Sequence, residues 1–286
     1  MGNMTRSAAW RSGIAAALLQ VACGVGSAWA GAWVLPNGRF WAQLSLLHQE
    51  TTERYFLDRE RIPYFFEGRN RTSGLFLDLR YGVSDRVEVV LQLPAYRIRF
   101  DDLADQRTST GVADLRLGAR FNLLKTSSTL ATVGAALKFP TGEFVNDAEV
   151  VPVGEGQYDV DLTAEAGHSF WPRPAYVNVL GGYRLRGANS KNGIHPGDEL
   201  FWSVEGGHRL VGRLNLKAVA RGLHGKESTS FGLGIPTLKR EAVYLQPGVW
   251  WELAPERGIE LAFPFTIKGR NWPAGLSVGV AFYSRF

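Results

Sequence analysis

From residue 39 onward apolar and polar side chains alternate with a period of two. In "TSGLFLDLRYG" Leu75, Leu77, Leu79 and Tyr81 fall on one face, and Gly74, Phe76, Asp78 and Arg80 on the other. "GVADLRLGARFNLL" sets Ala113, Leu115, Leu117, Ala119 and Phe121 against Asp114, Arg116, Gly118, Arg120 and Asn122. Side chains of a strand point to alternate faces, so each segment is a strand with one greasy side. The pattern predicts twelve strands, near 39–51, 70–82, 86–98, 109–124, 128–140, 156–170, 175–187, 198–211, 213–224, 238–252, 258–268 and 274–286. Connections alternate in length. Those at 52–69, 99–108, 141–155, 188–197 and 225–237 are long, with a shorter one at 269–273, and those at 83–85, 125–127, 171–174, 212 and 253–257 are short.

An even number of strands with alternating short and long connections is the layout of a transmembrane barrel, short turns periplasmic and long loops outside. A soluble barrel or sandwich could also alternate, with the charged face outward. Strand length argues against it: soluble strands are mostly ~5–6 residues, and a tilted membrane-crossing strand needs ~9–11. Twelve strands also enclose an interior too wide for medium-sized apolar side chains to fill. Aromatic residues gather near strand ends, with Tyr81, Phe121, Trp171, Trp250 and Trp251 by short turns and Phe100, Phe139 and Trp272 by long ones. Such rings favour membrane interfaces. The expected fold is therefore all-β, a transmembrane antiparallel up-and-down β-barrel of about twelve strands. The chain stops inside its last strand, "AGLSVGVAFYSRF", because a closed barrel pairs its last strand with its first and leaves no edge in lipid.

The start of the chain carries Arg6 and Arg11, an apolar stretch from Ile14 to Val25 broken by Gln20, and the small-x-small pattern Ala28-Trp29-Ala30. This is a secretory signal peptide over residues 1–30, and the barrel occupies 31–286. The apolar run is short for a spanning helix. Gln20 departs from the lipoprotein pattern around Cys23, the only cysteine, so the mature chain has no disulfide chemistry. Loss of the leader lowers the formal net charge from +5 to +3, thirty basic against 27 acidic side chains. No basic cluster marks nucleic-acid binding. Arginine outnumbers lysine 25 to 7, which reflects either genomic base composition or a use for rigid guanidinium forks in packed charge networks.

"TSTGVADLRLGARFNLL" (108–124), "AALKFPTGE" (135–143) and "VGEGQYDVDLTAEAGHSFW" (153–171) resemble the outer-membrane family labelled for the meta-pathway of phenol degradation, and "GDELFWSVEGGHRL" (197–210) fits the same layout. The resemblance implies a barrel in the cell outer membrane that helps small, often aromatic or hydrophobic, compounds into the cell. The ending also resembles the C-terminal signature read by the barrel assembly machinery, with Phe282 and Phe286 as the signal; Ser284 departs from it. The partners implied are outer-membrane lipid, that machinery and a small-molecule solute, with no nucleic acid and no cofactor.

The face expected to line the lumen carries Asp78, Arg80, Arg86, Glu88, Asp114, Arg116, Arg120, Lys138, Asp159, Asp161, Glu165, Arg184, Arg186, Glu205, Arg209, Lys217, Arg221, Glu260 and Lys268. Interspersed charges of both signs can pair across strands and brace the wall, or line a water-filled path and set its selectivity. The acidic trio Asp159, Asp161 and Glu165 sits on one face of one strand, without the alternating-ligand loop a calcium site uses. His168 and Ser169 are adjacent in a strand and so face opposite sides, which rules them out as a catalytic pair. No metal or catalytic residue is expected, and the chain is not expected to be an enzyme. The function expected is an outer-membrane channel for passive uptake of small molecules, the alternatives being a structural or adhesive barrel and, further off, a membrane enzyme. Loop 52–69 either folds into the mouth as a constriction or stands outside as a structured loop.

Overall fold

The computed structural model describes residues 31–145 and 151–286. The leader assigned to residues 1–30, its cleavage site and Cys23 lie outside the described residues. Twelve antiparallel strands close into a barrel: β1 (Phe40–Thr51), β2 (Arg69–Gly82), β3 (Val87–Asp101), β4 (Gln106–Val112 and Leu115–Lys125), β5 (Thr129–Phe139), β6 (Asp159–Ser169), β7 (Ala175–Arg186), β8 (Glu199–Val211), β9 (Leu214–Gly225), β10 (Glu241–Ala254), β11 (Arg257–Ala262 and Phe265–Arg270) and β12 (Ser277–Arg285). Neighbours in sequence are neighbours in space, and β12 pairs β1 from Trp41↔Arg285 to Gln49↔Ser277. Phe286 continues this seam: its N–H donates to Phe40 O, and Phe40 N–H donates to Phe286 O. The all-β barrel read from alternation is the fold observed.

The alternation sorts as an inside-out protein must. Leu44, Leu46, Leu75, Leu117, Leu162 and Val280 stay exposed on the outer face, while Ser45, Asp78, Glu88, Thr132 and Asp161 are buried inside. A band of exposed apolar side chains on a closed wall belongs against hydrocarbon.

Three departures from the expected pattern have local causes. The connection expected at 99–108 shrinks to 102–105, because Asp102 Oδ1 accepts from the N–H groups of Ala104 (2.8 Å) and Asp105 (2.9 Å) and folds a tight turn that lets both strands extend. β11 is broken after Ala262, where Pro264 has no N–H to donate. Beyond the break Ile267 is an extra residue between the pairs Tyr244↔Thr266 and Val243↔Lys268. A bulge of one residue exchanges the faces. Finally, Trp250, Phe100 and Trp272 leave the aromatic belts: Trp250 turns into the lumen end, Phe100 is 1% exposed inside the barrel, and Trp272 packs on Leu223 and Ala242.

The long loops are organised. Glu53–Tyr55 and Arg61–Pro63 of loop 52–69 form a small sheet with Trp272–Ala274. Ile194–His195, Ser228–Ser230 and Leu233–Ile235 form a second. Loop 52–69 is thus a structured external hairpin whose Tyr64 enters the barrel, its ring 5.6 Å from that of Phe100.

Candidate functional site: the barrel lumen

The lumen has two unlike sectors. Along β1–β3, toward the long loops, the inward positions hold an apolar cluster beside buried Gln49, Thr51, Asn70 and Thr72: Leu47, Phe76, Tyr96, Ile98 and Phe100 pack with Tyr64 from loop 52–69 and with Val151 and Val153. Every member is less than 9% exposed, so loop side chains fill this sector as a core fills a soluble domain.

The other sector, across β4–β8 with additions from β2, β3 and β10, is a belt of ion pairs. Glu88 accepts from Arg80 (2.7 Å) and from Arg120 (2.5 Å), and Arg120 reaches Glu165 at 2.9 Å. Asp161 lies between Arg116 (2.5 Å) and Arg184 (2.6 Å), and Arg184 continues to Glu199 at 2.9 Å. Lys138 meets Asp159 at 2.9 Å and Asp114 at 3.3 Å, and donates to Glu155. Arg186 meets Glu155 (2.7 Å) and Glu199 (3.3 Å), and Arg240 donates to Glu199. Across the barrel Lys217 pairs with Glu260 at 2.6 Å. Arginine forks suit such shared carboxylates, since a planar guanidinium can bond two acceptors at once.

Of the charged positions assigned to the lumen face, Asp78, Arg80, Glu88, Asp114, Arg120, Lys138, Asp159, Asp161, Glu165, Arg186, Glu205 and Glu260 are buried inside. Arg116, Arg184, Lys217 and Arg221 face inward and are partly exposed. Arg209 also faces inward, exposed at the periplasmic mouth, 3.6 Å from Glu252. Two lie elsewhere. Arg86 is exposed in the turn between β2 and β3, beyond the end of the wall. Lys268 is outside the barrel, carried there by the bulge at Ile267, opposite outward-facing Val243. Phe282 and Phe286 are exposed on the outer face, 45% and 57%.

Alternation could have supplied Glu199 and Arg240, which share the inward parity of Glu205 and Ala242. It could not supply Glu155, a loop residue brought into the belt because its N–H and that of Gly142 donate to the two oxygens of Asp114 (2.9 and 3.0 Å). Close approach of Gly154 to Gly142 allows that fold: a Cβ on Gly154 would lie 2.6 Å from Gly142 carbonyl atoms. Burial raises the Glu155 pKa, but Arg186, Lys138 and Arg240 outweigh it and hold the carboxyl well below the usual range.

The second feature hidden from the pattern is the segment 31–36, which enters the lumen as a strap. Lumen side chains hold its backbone. Ala32 O accepts from Asn122 Nδ2 (3.0 Å) and Thr132 Oγ1 (2.6 Å), and Trp33 O accepts from Arg80 Nη2 (2.7 Å). Gly31 O accepts from Arg120, and Leu35 N–H donates to Glu88 at 2.9 Å. Ala32, Val34 and Leu35 are less than 9% exposed. Gly82 allows the strap to leave past β2, since a Cβ there would lie 2.0 Å from Pro36 O. Below the strap, at the short-turn end, a cavity of about 770 Å³ opens between Trp33, Tyr176 and Trp250.

Nothing in the described residues gathers three or more His, Cys, Asp or Glu side chains for a metal ion. His168 Nδ1 lies 2.8 Å from Thr129 Oγ1 and its ring stands edge-on to Phe170.

No curated protein matches the sequence. Among solved structures, the COG4313 outer membrane channel from Pseudomonas putida F1 is similar over 92% of this chain and all of its own, at 17% identity and a TM-score of 0.76. The translocator domain of autotransporter NalP from Neisseria meningitidis is similar over 98% of both chains, at 12% identity and a TM-score of 0.50. These likenesses give the fold, a closed barrel of the bacterial outer membrane. The sequence profile of one family matches residues 26–282, and the chain belongs to that family, described as "Putative MetA-pathway of phenol degradation".

Proposed function

We propose that this barrel is an outer-membrane channel for passive uptake of small molecules, aromatic and hydrophobic ones among them. The observation that carries the reading is how the strap is attached. Its backbone from Gly31 to Leu35 is bonded to lumen side chains and not to the strand ladder. It can therefore leave without breaking a strand pair, and its departure would widen the charged sector above the cavity. Family membership supports the same role. On this reading outer-membrane lipid covers the apolar wall, the assembly machinery recognises Phe282 and Phe286, a small solute passes the lumen, and no cofactor or catalytic step is needed.

The alternative, a structural or adhesive barrel without transport, draws on the depth of the belt: Arg120 is 1% exposed between Glu88 and Glu165. Conductance in planar bilayers separates the two. Wild type should show small, flickering conductance, and deletion of residues 31–36 should raise it several-fold in a barrel that stays folded. Silence from both, with normal folding, would favour the structural barrel.

A further inference from the structure

The cavity beneath the strap has a composition of its own. About 770 Å³ is within the range of small-molecule sites. Three aromatic rings stand in sequence across it: Trp33 and Tyr176 meet edge-on with centroids 5.9 Å apart, and Tyr176 and Trp250 lie 6.2 Å apart. The Tyr176 hydroxyl donates to Glu205 Oε1 at 2.8 Å, which fixes the ring and uses its donor internally. Five cationic and two acidic side chains line the space. Both acids are engaged, Glu205 by Tyr176 and Glu252 by Arg209 at 3.6 Å. Arg173, in the turn after β6, and Arg285, at the end of β12, make no ion pair among the described residues and are exposed at the rim. Aromatic walls of fixed orientation with unpaired guanidinium groups at the rim, Arg173 on the β6–β7 side and Arg285 on the β12 side, suit a flat ring that carries one negative charge.

We propose that this periplasmic vestibule is a binding site for small aromatic monocarboxylates. The ring lies against Trp33, Tyr176 and Trp250, and the carboxylate points to the rim, toward Arg173 or Arg285. The assignment rests on reading the barrel as a solute path and names where, and in what charge state, a solute pauses. Because Trp33 belongs to the strap, an occupied vestibule and a seated strap stabilise each other through that ring. This is reciprocal linkage, and it makes the solute part of the gate.

The test is ligand-observed ¹⁹F NMR on the full mature chain in lipid nanodiscs, with empty nanodiscs as the blank. The probes are 4-fluorobenzoate, 4-fluorotoluene and fluoroacetate. Saturable broadening of 4-fluorobenzoate alone is expected, with Kd raised at least tenfold by Trp250→Leu and at least fivefold by the double variant Arg173→Gln/Arg285→Gln. The arginine pair sits at the exposed rim, so that variant keeps the test alive if Trp250→Leu fails to fold. No saturable broadening, unchanged affinity in the arginine pair, or 4-fluorotoluene binding as tightly would each overturn the assignment. Swelling of liposomes in benzoate separates this from the channel reading. Swelling without binding removes the vestibule site and leaves the channel, whereas binding without swelling removes the channel and leaves the site.

Discussion

The apolar and charged sectors are both closed, by different physics. Where Tyr64, Val151 and Val153 pack on Phe76, Ile98 and Phe100, closure comes from apolar burial among aliphatic and aromatic side chains. Undoing it would expose those surfaces to water at ~25 cal/mol per Å². Where Arg80, Glu88, Arg120 and Glu165 face the strap, closure comes from hydrogen bonds to a peptide backbone, with Ala32, Val34 and Leu35 buried beside them. Water entering behind a departing strap can replace those bonds, and each is worth only ~0.5–1.5 kcal/mol net, or ~1.5–3 where a charge takes part. The difference teaches where a route can open. On the proposed channel reading, the apolar sector is a permanent filling and the charged sector is the gate.

The sharpest way to break that comparison is to remove a shared carboxylate. Glu88 serves Arg80, Arg120 and the Leu35 N–H at once. Glu88→Ala leaves two buried guanidinium groups without their main counter-charge, and breaking a buried pair from one side costs ~3–5 kcal/mol. The heat-modifiable gel shift of the folded barrel should move to markedly lower temperature, and channel conductance should rise because the strap loses its anchor. Phe100→Ala should cost a similar ~3–5 kcal/mol by leaving a cavity, yet it should not raise conductance. If the two variants change conductance equally, the division into filling and gate is wrong.

How the two sectors came to be legible differs in the same way. The wall could be read in advance because period-two alternation is a local property of each strand: Leu75, Leu77 and Leu79 declare one face, and Asp78 and Arg80 the other, whatever surrounds them. The charged positions followed with few errors, and the errors sit where parity is reset. Lys268 fails because a one-residue bulge reverses the faces of β11, and Arg86 fails because alternation does not report where a strand leaves the wall. The strap and Glu155 could not be read, since their places depend on backbone groups captured by residues 28 to 146 positions away in sequence. Phe100 and Trp250 show a related limit. An aromatic near a strand end fits an interfacial belt or a lumenal contact equally well, and only the registered wall separates the two.

A more moderate effect follows from thinning the belt beside the strap. Arg116 is bound to Asp161 alone, whereas Arg120 joins Glu88, Glu165 and Gly31 O. Arg116→Ser/Arg120→Ser removes two lumen cations and a strap anchor. Conductance should widen and reversal potentials in a salt gradient should shift toward cations. Arg116→Ser alone should shift selectivity with little gain in conductance, because the strap stays held. Lys268→Ser, on the outer face, should change neither.

The smallest expected effect concerns the seam where loop 141–158 joins the belt. Glu155 is ionised against Arg186, Lys138 and Arg240, which together outweigh its burial and hold its pKa well below the carboxylate range. A carboxyl with a depressed folded pKa contributes its stabilisation above its unfolded value, ~4.3 for glutamate, and loses it as pH falls through the folded value. The loop should therefore stay seated between pH 8 and about 5 and loosen only below about 4. A nitroxide placed by Glu143→Cys reads this directly: Glu143 is exposed, its carbonyl accepts from Gly154 N–H at 3.0 Å, and Cys23, in the segment expected to be a leader, is the only native cysteine. The label should keep one spectrum from pH 8 to 5 and gain a mobile component in stronger acid, while Glu155→Gln should show that component at neutral pH. Mobility that rises between pH 7 and 5 would mean the loop is held by a carboxylate of ordinary pKa, and the anchor would have to be sought outside the Arg186–Lys138–Arg240 cluster.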